Sequence, residues 1–416
     1  MKLKELGPGL ITGAADDDPS GIATYSQAGA QFGFNMLWTV VFTFPLMAGI
    51  QMISARLGCI TGRGLAANIK LQFPRWLLYC IVGLLLIANT INIASDIAAM
   101  SEALRLLLGG STHVYSFTFG LLCLVLQVFL RYKTYVRYLK WLTLALFAYV
   151  AVVFSIHVPW LTVFERTVWP HLTWNNATIT MIVAVFGTTI SPYLFFWQAA
   201  QEVEDLRALE IKTGNGNLLP HTMNTARRHL RRIKWDTYIG MGFSNLIAFF
   251  IILSAAATLN LAGVTDIQSS AQAAQALRPL AGEFAFLLFA LGVIGTGMLA
   301  VPVLAGSAAY AVSETFGWRT GLDLKASEGR GFYGLIAIAT LGGVILDFTP
   351  TDPMKELFWS AVINGVIAVP IMVVLMLLAG QERVMGQFVI RRRLRHLGWL
   401  ATATMAVAVI AMFVTI

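Results

Sequence analysis

Three consecutive acids, Asp16, Asp17 and Asp18, are followed by Pro19, Ser20 and Gly21 inside an otherwise apolar segment near the start of the chain. Carboxylates at membrane depth are expensive and mark ion paths or proton relays. A proline there removes a backbone hydrogen bond from the helix. Where a membrane helix is broken, its freed carbonyls and half-helix termini can hold an ion. The chemistry this pattern supports is cation binding at a broken helix. A second apolar segment, Gly187-Thr188-Thr189-Ile190-Ser191-Pro192-Tyr193, carries another proline 173 positions after Pro19.

Asp18 is the leading candidate ligand. It can also cap the half-helix that follows, since a side-chain oxygen at a helix N-terminus accepts backbone amides. Successive helical residues point about 100° apart, so all three acids face one ion only if the backbone is extended there. Asp16 and Asp17 are expected around the ion or in its vestibule. Ser191 and Thr188 are candidate ligands or water-holders, with back-bonding to the preceding helical turn as the alternative. Asp96 either lines the ion path or is satisfied by neighbours such as Asn92. Asn364 either hydrogen-bonds to the broken segments or serves as interhelical glue. Gln198 and Gln201 are expected to line the inner path, Glu102 to be a rim charge, and Glu314 and Asp347 to be solvated near span ends. The six histidines fall in or beside loops, which argues against a histidine metal site. Cys59, Cys80 and Cys123 have no metal-ligand spacing and read as packing residues.

The elements that position these residues are membrane helices. Of 416 residues, 57% are hydrophobic and 12% charged, about half the charge of a soluble chain. Runs long enough to cross a bilayer fall near 8–28, 34–55, 77–104, 114–130, 139–157, 178–200, 238–260, 284–311, 332–348, 356–379 and 398–416, eleven in all. Most of the 29 Lys and Arg lie in alternate loops, leaving Arg105, Arg166, Arg278 and Lys355 on the other side. By the positive-inside rule the N-terminus is cytoplasmic and the C-terminus extracellular or periplasmic, with no signal-peptide pattern at the start. The net charge of +8 is thus a topology signal facing anionic lipid, not a nucleic-acid interface. The longest polar piece, about 201–237, reads as a cytoplasmic loop with a short amphipathic helix from Thr225.

Spans one to five and six to ten each begin with a proline-broken segment. An odd number of spans per unit inverts the second unit against the first, which is the plan of many secondary transporters. The expected architecture is one all-α, multi-pass transport domain over 1–416. Repeat one covers about 7–158, repeat two about 176–380, and an extra helix about 398–416.

The motifs resemble those of the Nramp divalent-metal transporters. In that family the first span opens with a Gly-Pro-Gly similar to Gly7-Pro8-Gly9 and breaks at Asp-Pro-Gly-Asn, beside Asp18-Pro19-Ser20-Gly21 here. Its sixth span breaks at Ala-x-x-Met-Pro-His, beside Thr188-Thr189-Ile190-Ser191-Pro192-Tyr193. Its third-span Asp-Leu-Ala-Glu resembles Asp96-Ile97-Ala98-Ala99. The resemblance implies the amino-acid-transporter-like fold, and a metal site of Asp18, the carbonyls of Ala15 and Thr188, and the positions of Gly21 and Ser191. Gly21 stands where the family has an asparagine ligand, and Ser191 where it has a methionine. Losing the soft thioether leaves an all-oxygen site that suits hard cations, above all Mg²⁺. Glycine and serine are expected to leave room for a partly hydrated ion. The pattern looks like the prokaryotic Nramp-related magnesium transporters. The family's sixth-span histidine, third-span glutamate and ninth-span arginines are replaced by Tyr193, Ala99 and the apolar run Gly334–Ile338. The implication is transport without obligate proton coupling.

The expected function is uptake of Mg²⁺, with Mn²⁺ as companion, across a bacterial inner membrane. The ion is cargo; no cofactor and no obligate protein partner is expected beyond membrane lipid. Two alternatives stay open: a proton-coupled Mn²⁺/Fe²⁺ transporter, and a cation-coupled organic-solute transporter, whose anionic substrates three acids would repel. No protease or hydrolase motif is present to suggest an intramembrane enzyme.

Overall fold

A computed structural model describes residues 12–13, 15–129, 142–213, 223–348 and 352–415. The Gly7-Pro8-Gly9 motif and the basic residues at 131–140 lie outside them. Among the described residues all regular structure is helical.

Residues 12–13 and 15–16 are helical, and a break at Asp17–Asp18 separates them from α1 (Pro19–Phe32). The longer helices after it are α2 (Leu37–Thr61), α3 (Leu65–Gln72), α4 (Arg75–Leu108), α5 (Thr112–Phe129), α6 (Phe147–Ser155) and α7 (Trp160–Val168). The second half contains α8 (Asn176–Thr189), α9 (Pro192–Thr213), α10 (Met223–Ala255), α11 (Ala285–Phe316), α12 (Arg330–Asp347), α13 (Pro353–Ala379) and α14 (Arg392–Thr415).

Nine helical runs among the described residues are long and apolar enough to cross a membrane, ten if the bent pair 144–155 and 160–168 is one span. One of the nine, Pro19–Thr61, has 43 residues. A straight helix of that length would reach about 65 Å, about twice a bilayer core. It is divided at Gly33, whose φ of +60° ends α1. Read as two crossings, α1 and α2 bring the count to the eleven expected from hydropathy.

The helices in equivalent places of the two halves pack on each other. The second span, α2, lies along the seventh, α10, and the third, α4, lies along the eighth, α11. The two broken spans meet where α1 touches α8. Close approaches are made by glycine. A Cβ on Gly187 would stand 2.0 Å from the Ala361 carbonyl oxygen, and one on Gly13 would collide with the backbone of Gly240.

Several local expectations change. The amphipathic segment from Thr225 is no separate helix; it is the start of α10, which continues into the membrane. The short helix α3 carries no hydropathy signal of a span, and α7 lies beyond the expected fifth span at 139–157. Glu314 is half-buried and tied into the fold: its carboxylate accepts the Ala67 amide at 3.0 Å and so caps α3 from a distant helix. Lys70 of α3 donates to the Thr315 carbonyl at 2.8 Å. Glu102 is buried and accepts from the Ser270 hydroxyl at 2.7 Å, so it is no open rim charge.

Candidate metal centre

The first break is built by Asp18. Its backbone is extended, Pro19 takes the first helical position where a missing N–H costs nothing, and its Oδ1 accepts the Gly21 amide at 2.7 Å. The cap leaves Oδ2 free to face the second break. There α8 ends at Thr189 and α9 starts at Pro192. Tyr193, one residue into α9, donates its hydroxyl to the Ala15 carbonyl at 3.1 Å and stands 3.5 Å from Asp18 Oδ2. The sixth-span residue after the proline is therefore held against the ends of both halves of the first span.

Ser191 donates back into its own helix, to the carbonyls of Gly187 (3.0 Å) and Thr188 (2.8 Å). The back-bonding alternative is realised, and the hydroxyl presents only lone pairs outward. Thr188 Oγ1 lies 3.0 Å from where a Cβ on Gly21 would be, with Tyr25 at 3.3 Å and Asp18 Oδ1 at 3.4 Å. The room expected beside Gly21 is thus used to bring α1 against α8. Asp18, Ala15, Gly21, Thr188, Ser191 and Tyr193 form one connected group, and none of them is more than 3% exposed where burial is recorded.

The other acids gather around it. Asp16 and Asp17 meet the same hydroxyl, Ser244 of α10, at 2.6 and 2.9 Å. Asp96 of α4 is fully buried, faces the Ser20 amide and lies near enough to Asp18 for their charges to interact, though neither carboxylate oxygen is in a well-formed hydrogen bond. Asn92 does not satisfy Asp96; it donates to Asn364 Oδ1 at 2.9 Å and ties α4 to α13. Asn364 therefore acts as a link between α4 and α13. Gln198 lies further along α9 from the second break and accepts from Gln51 of α2 at 3.2 Å.

Three residues of this region are given no role by the motifs. Ser20 binds the Leu357 carbonyl at 2.8 Å and Ser360 at 3.0 Å. Tyr25 is buried one helical turn beyond Gly21. Ser244 lies 228 positions from Asp16. No sequence signal marks Ser244; the fold places it four residues from Gly240, on the face that approaches Gly13.

Four buried carboxylates whose surroundings are one another, hydroxyls and backbone amides favour a cation, because buried charge without a counter-charge is very costly. Among the described residues no three acids, histidines or cysteines converge into a metal cage. An ion at the break would therefore meet Asp18 and neutral oxygens, with water completing its shell.

Comparisons with known proteins agree with this architecture. The family profile of natural resistance-associated macrophage protein-like (Nramp) proteins matches residues 9–415. A divalent metal cation transporter MntH of Klebsiella pneumoniae is 25% identical, covering 97% of this chain and 92% of that protein. The crystal structure of an Eremococcus coleocola manganese transporter, bound to an aromatic bis-isothiourea compound, superposes with a TM-score of 0.73 at 16% identity, covering 99% of this chain and 85% of the other. A nucleobase-cation-symport-1 family transporter in a closed conformation shares the fold at a TM-score of 0.58 and 14% identity, covering 99% and 92% of the two chains. The chain belongs to the Nramp family of divalent-metal transporters.

Proposed function

We propose that this protein takes up Mg²⁺, and with it Mn²⁺, across a bacterial inner membrane by alternating access, without obligate proton coupling. The observation that carries the reading is the donor set at the two breaks. One carboxylate, Asp18, stands with the Ala15 carbonyl, the Tyr193 hydroxyl and the oxygens of Thr188 and Ser191. It contains neither sulfur nor imidazole, and hard oxygen donors suit Mg²⁺ and Mn²⁺ over softer metals. Tyr193 occupies the place of a proton-carrying histidine and is engaged with Ala15. The membrane potential supplies the drive, roughly 2.3 kcal/mol per charge per 100 mV, twice that for a divalent ion. The N-terminus is cytoplasmic in this reading, so α1 leads outward from the site and α9 inward.

A second reading, proton-coupled Mn²⁺ transport, is favoured by the similarity to a manganese transporter and to MntH proteins. Purified protein in liposomes, loaded with a pH dye and given Mg²⁺ or Mn²⁺ outside, separates the two. Mg²⁺ entry with constant internal pH is expected. Mn²⁺-only entry with acidification would establish the second reading, and silence for both ions would remove divalent uptake altogether.

A further inference from the structure

The inner half of the molecule contains a charged cluster that the metal centre does not use. On α10 the residues Arg232, Asp236, Gly240 and Ser244 repeat every four positions and so share one face. Ser244 touches Asp16 and Asp17, and Gly240 touches Gly13. The face therefore starts at the acids of the first break and runs about 18 Å to Arg232. On α9, Gln198, Glu202 and Asp205 follow helical spacing in the same direction. Arg232 joins the two faces. Its guanidinium pairs with Glu202 and, at 3.0 Å, with Asp205. Glu202 and Asp236 are fully buried.

Two further observations give this ion pair a role. First, α9 and α10 each pack along α2 but hardly touch each other through their backbones, so the gap between them is closed by side chains. Second, a small apolar cluster of Met52, Ala55, Cys59, Leu206 and Ile233 lies between these three helices, separate from the main core. Polar side chains lie at the same three helices: Gln51 and Ser54 bind the α9 carbonyls of Leu194 (2.9 Å) and Phe195 (2.6 Å), beside Gln198 and Glu202. Polar side chains along the helix that follows the second break, ending at an apolar plug and an ion pair, are the layout of a closed exit.

We propose that Arg232, seated on Glu202 and Asp205, is the inner gate of the cation path. Its guanidinium holds the carboxylates that a departing divalent ion would next meet, and the path opens between α9 and α10 when the pair parts. This rests on the proposed orientation, in which α9 leads to the cytoplasm.

Cys59 is a built-in reporter, buried in the plug and close to Arg56, Glu202 and Arg232. In inside-out vesicles, a cationic, membrane-impermeant methanethiosulfonate is added to the native chain and variants, and peptide mass mapping reads the labelling rate at Cys59. Slow labelling is expected for the native chain, at least tenfold faster labelling for Arg232→Gln, a near-native rate for Arg232→Lys, and an intermediate rate for Asp205→Asn. Asp205 is partly exposed, so Asp205→Asn decides the matter if Arg232→Gln does not fold. Unchanged Cys59 labelling in a folded Arg232→Gln or Asp205→Asn protein would overturn the gate. The labelling does not depend on which ion is carried. A native chain that labels as expected yet takes up neither Mg²⁺ nor Mn²⁺ would overturn the proposed cargo and leave the gate standing.

Discussion

The hydroxyl of Tyr193 is bonded to the carbonyl of Ala15, 178 positions away, at 3.1 Å. The contact joins the second break to the segment just before the first break and also fixes the phenol 3.5 Å from Asp18 Oδ2. Tyr193→Phe removes one neutral hydrogen bond, about 0.5–1.5 kcal/mol. The expected result is a KM for Mn²⁺ raised up to about tenfold with transport retained, read from initial uptake rates in liposomes. An unaltered KM would show that the phenol does not organise the site.

Asp18 has two tasks that substitutions can separate. Asparagine remains a good N-cap, so Asp18→Asn should keep the Gly21 contact and the thermal stability while losing the charge offered to the ion. Divalent binding by Asp18→Asn, measured calorimetrically, should weaken by about tenfold to a hundredfold, since bonds to charged groups contribute about 1.5–3 kcal/mol. Asp18→Ala should lose both tasks and melt earlier. Equal uptake by Asp18→Asn and the native chain would remove Asp18 from the ligand set.

Ser191→Met would place a soft thioether at the second break and should raise Mn²⁺ or Cd²⁺ affinity relative to Mg²⁺. Gly21→Asn should add a further ligand, but its Cβ would crowd Thr188 Oγ1 at 3.0 Å and Tyr25 at 3.3 Å. Gly21→Asn alone is therefore expected to destabilise the protein, and Thr188→Ala to relieve it in the double variant. Competition between Cd²⁺ and Mg²⁺ in a binding assay reads the shift; an unmoved ratio in Ser191→Met would exclude position 191 from the site.

Gly187→Ala tests the helix crossing that supports the second break. Its Cβ would meet the backbone of Ala361 and Gly365 at 2.0 and 2.6 Å, atoms that cannot rotate aside. Overpacking of this kind costs about 1–3 kcal/mol or more, and the melting temperature in detergent should fall accordingly. Gly83→Ala, with nothing within 4 Å of the added Cβ, is the matched control and should melt at or slightly above the native temperature, because alanine is the better helix former.

Membrane insertion, the number of crossings and the places of the two breaks are local properties, and the chain states them locally. A run of apolar residues has to become a helix in lipid because every backbone group must bond internally, and Asp18-Pro19 or Ser191-Pro192 inside such a run has to interrupt it. That is why the breaks stand within a residue or two of where the motifs put them, and why the hydroxyls and carboxylates there support the expectation of an oxygen-donor site. What the side chains face is decided elsewhere. Helices that are apolar nearly all round show no face that must turn inward, so hydropathy could not say that Ser244 would stand on Asp16 and Asp17. Nor could it say that Asn92 would turn from Asp96 to Asn364, that Glu314 would cap α3, or that Arg232 would bridge α9 and α10. Gly21 shows the same division. The sequence shows a missing side chain and suggests vacant space. The packing of α1 on α8 fills that space, because close contact between two helices gains more dispersion energy than a void left between them.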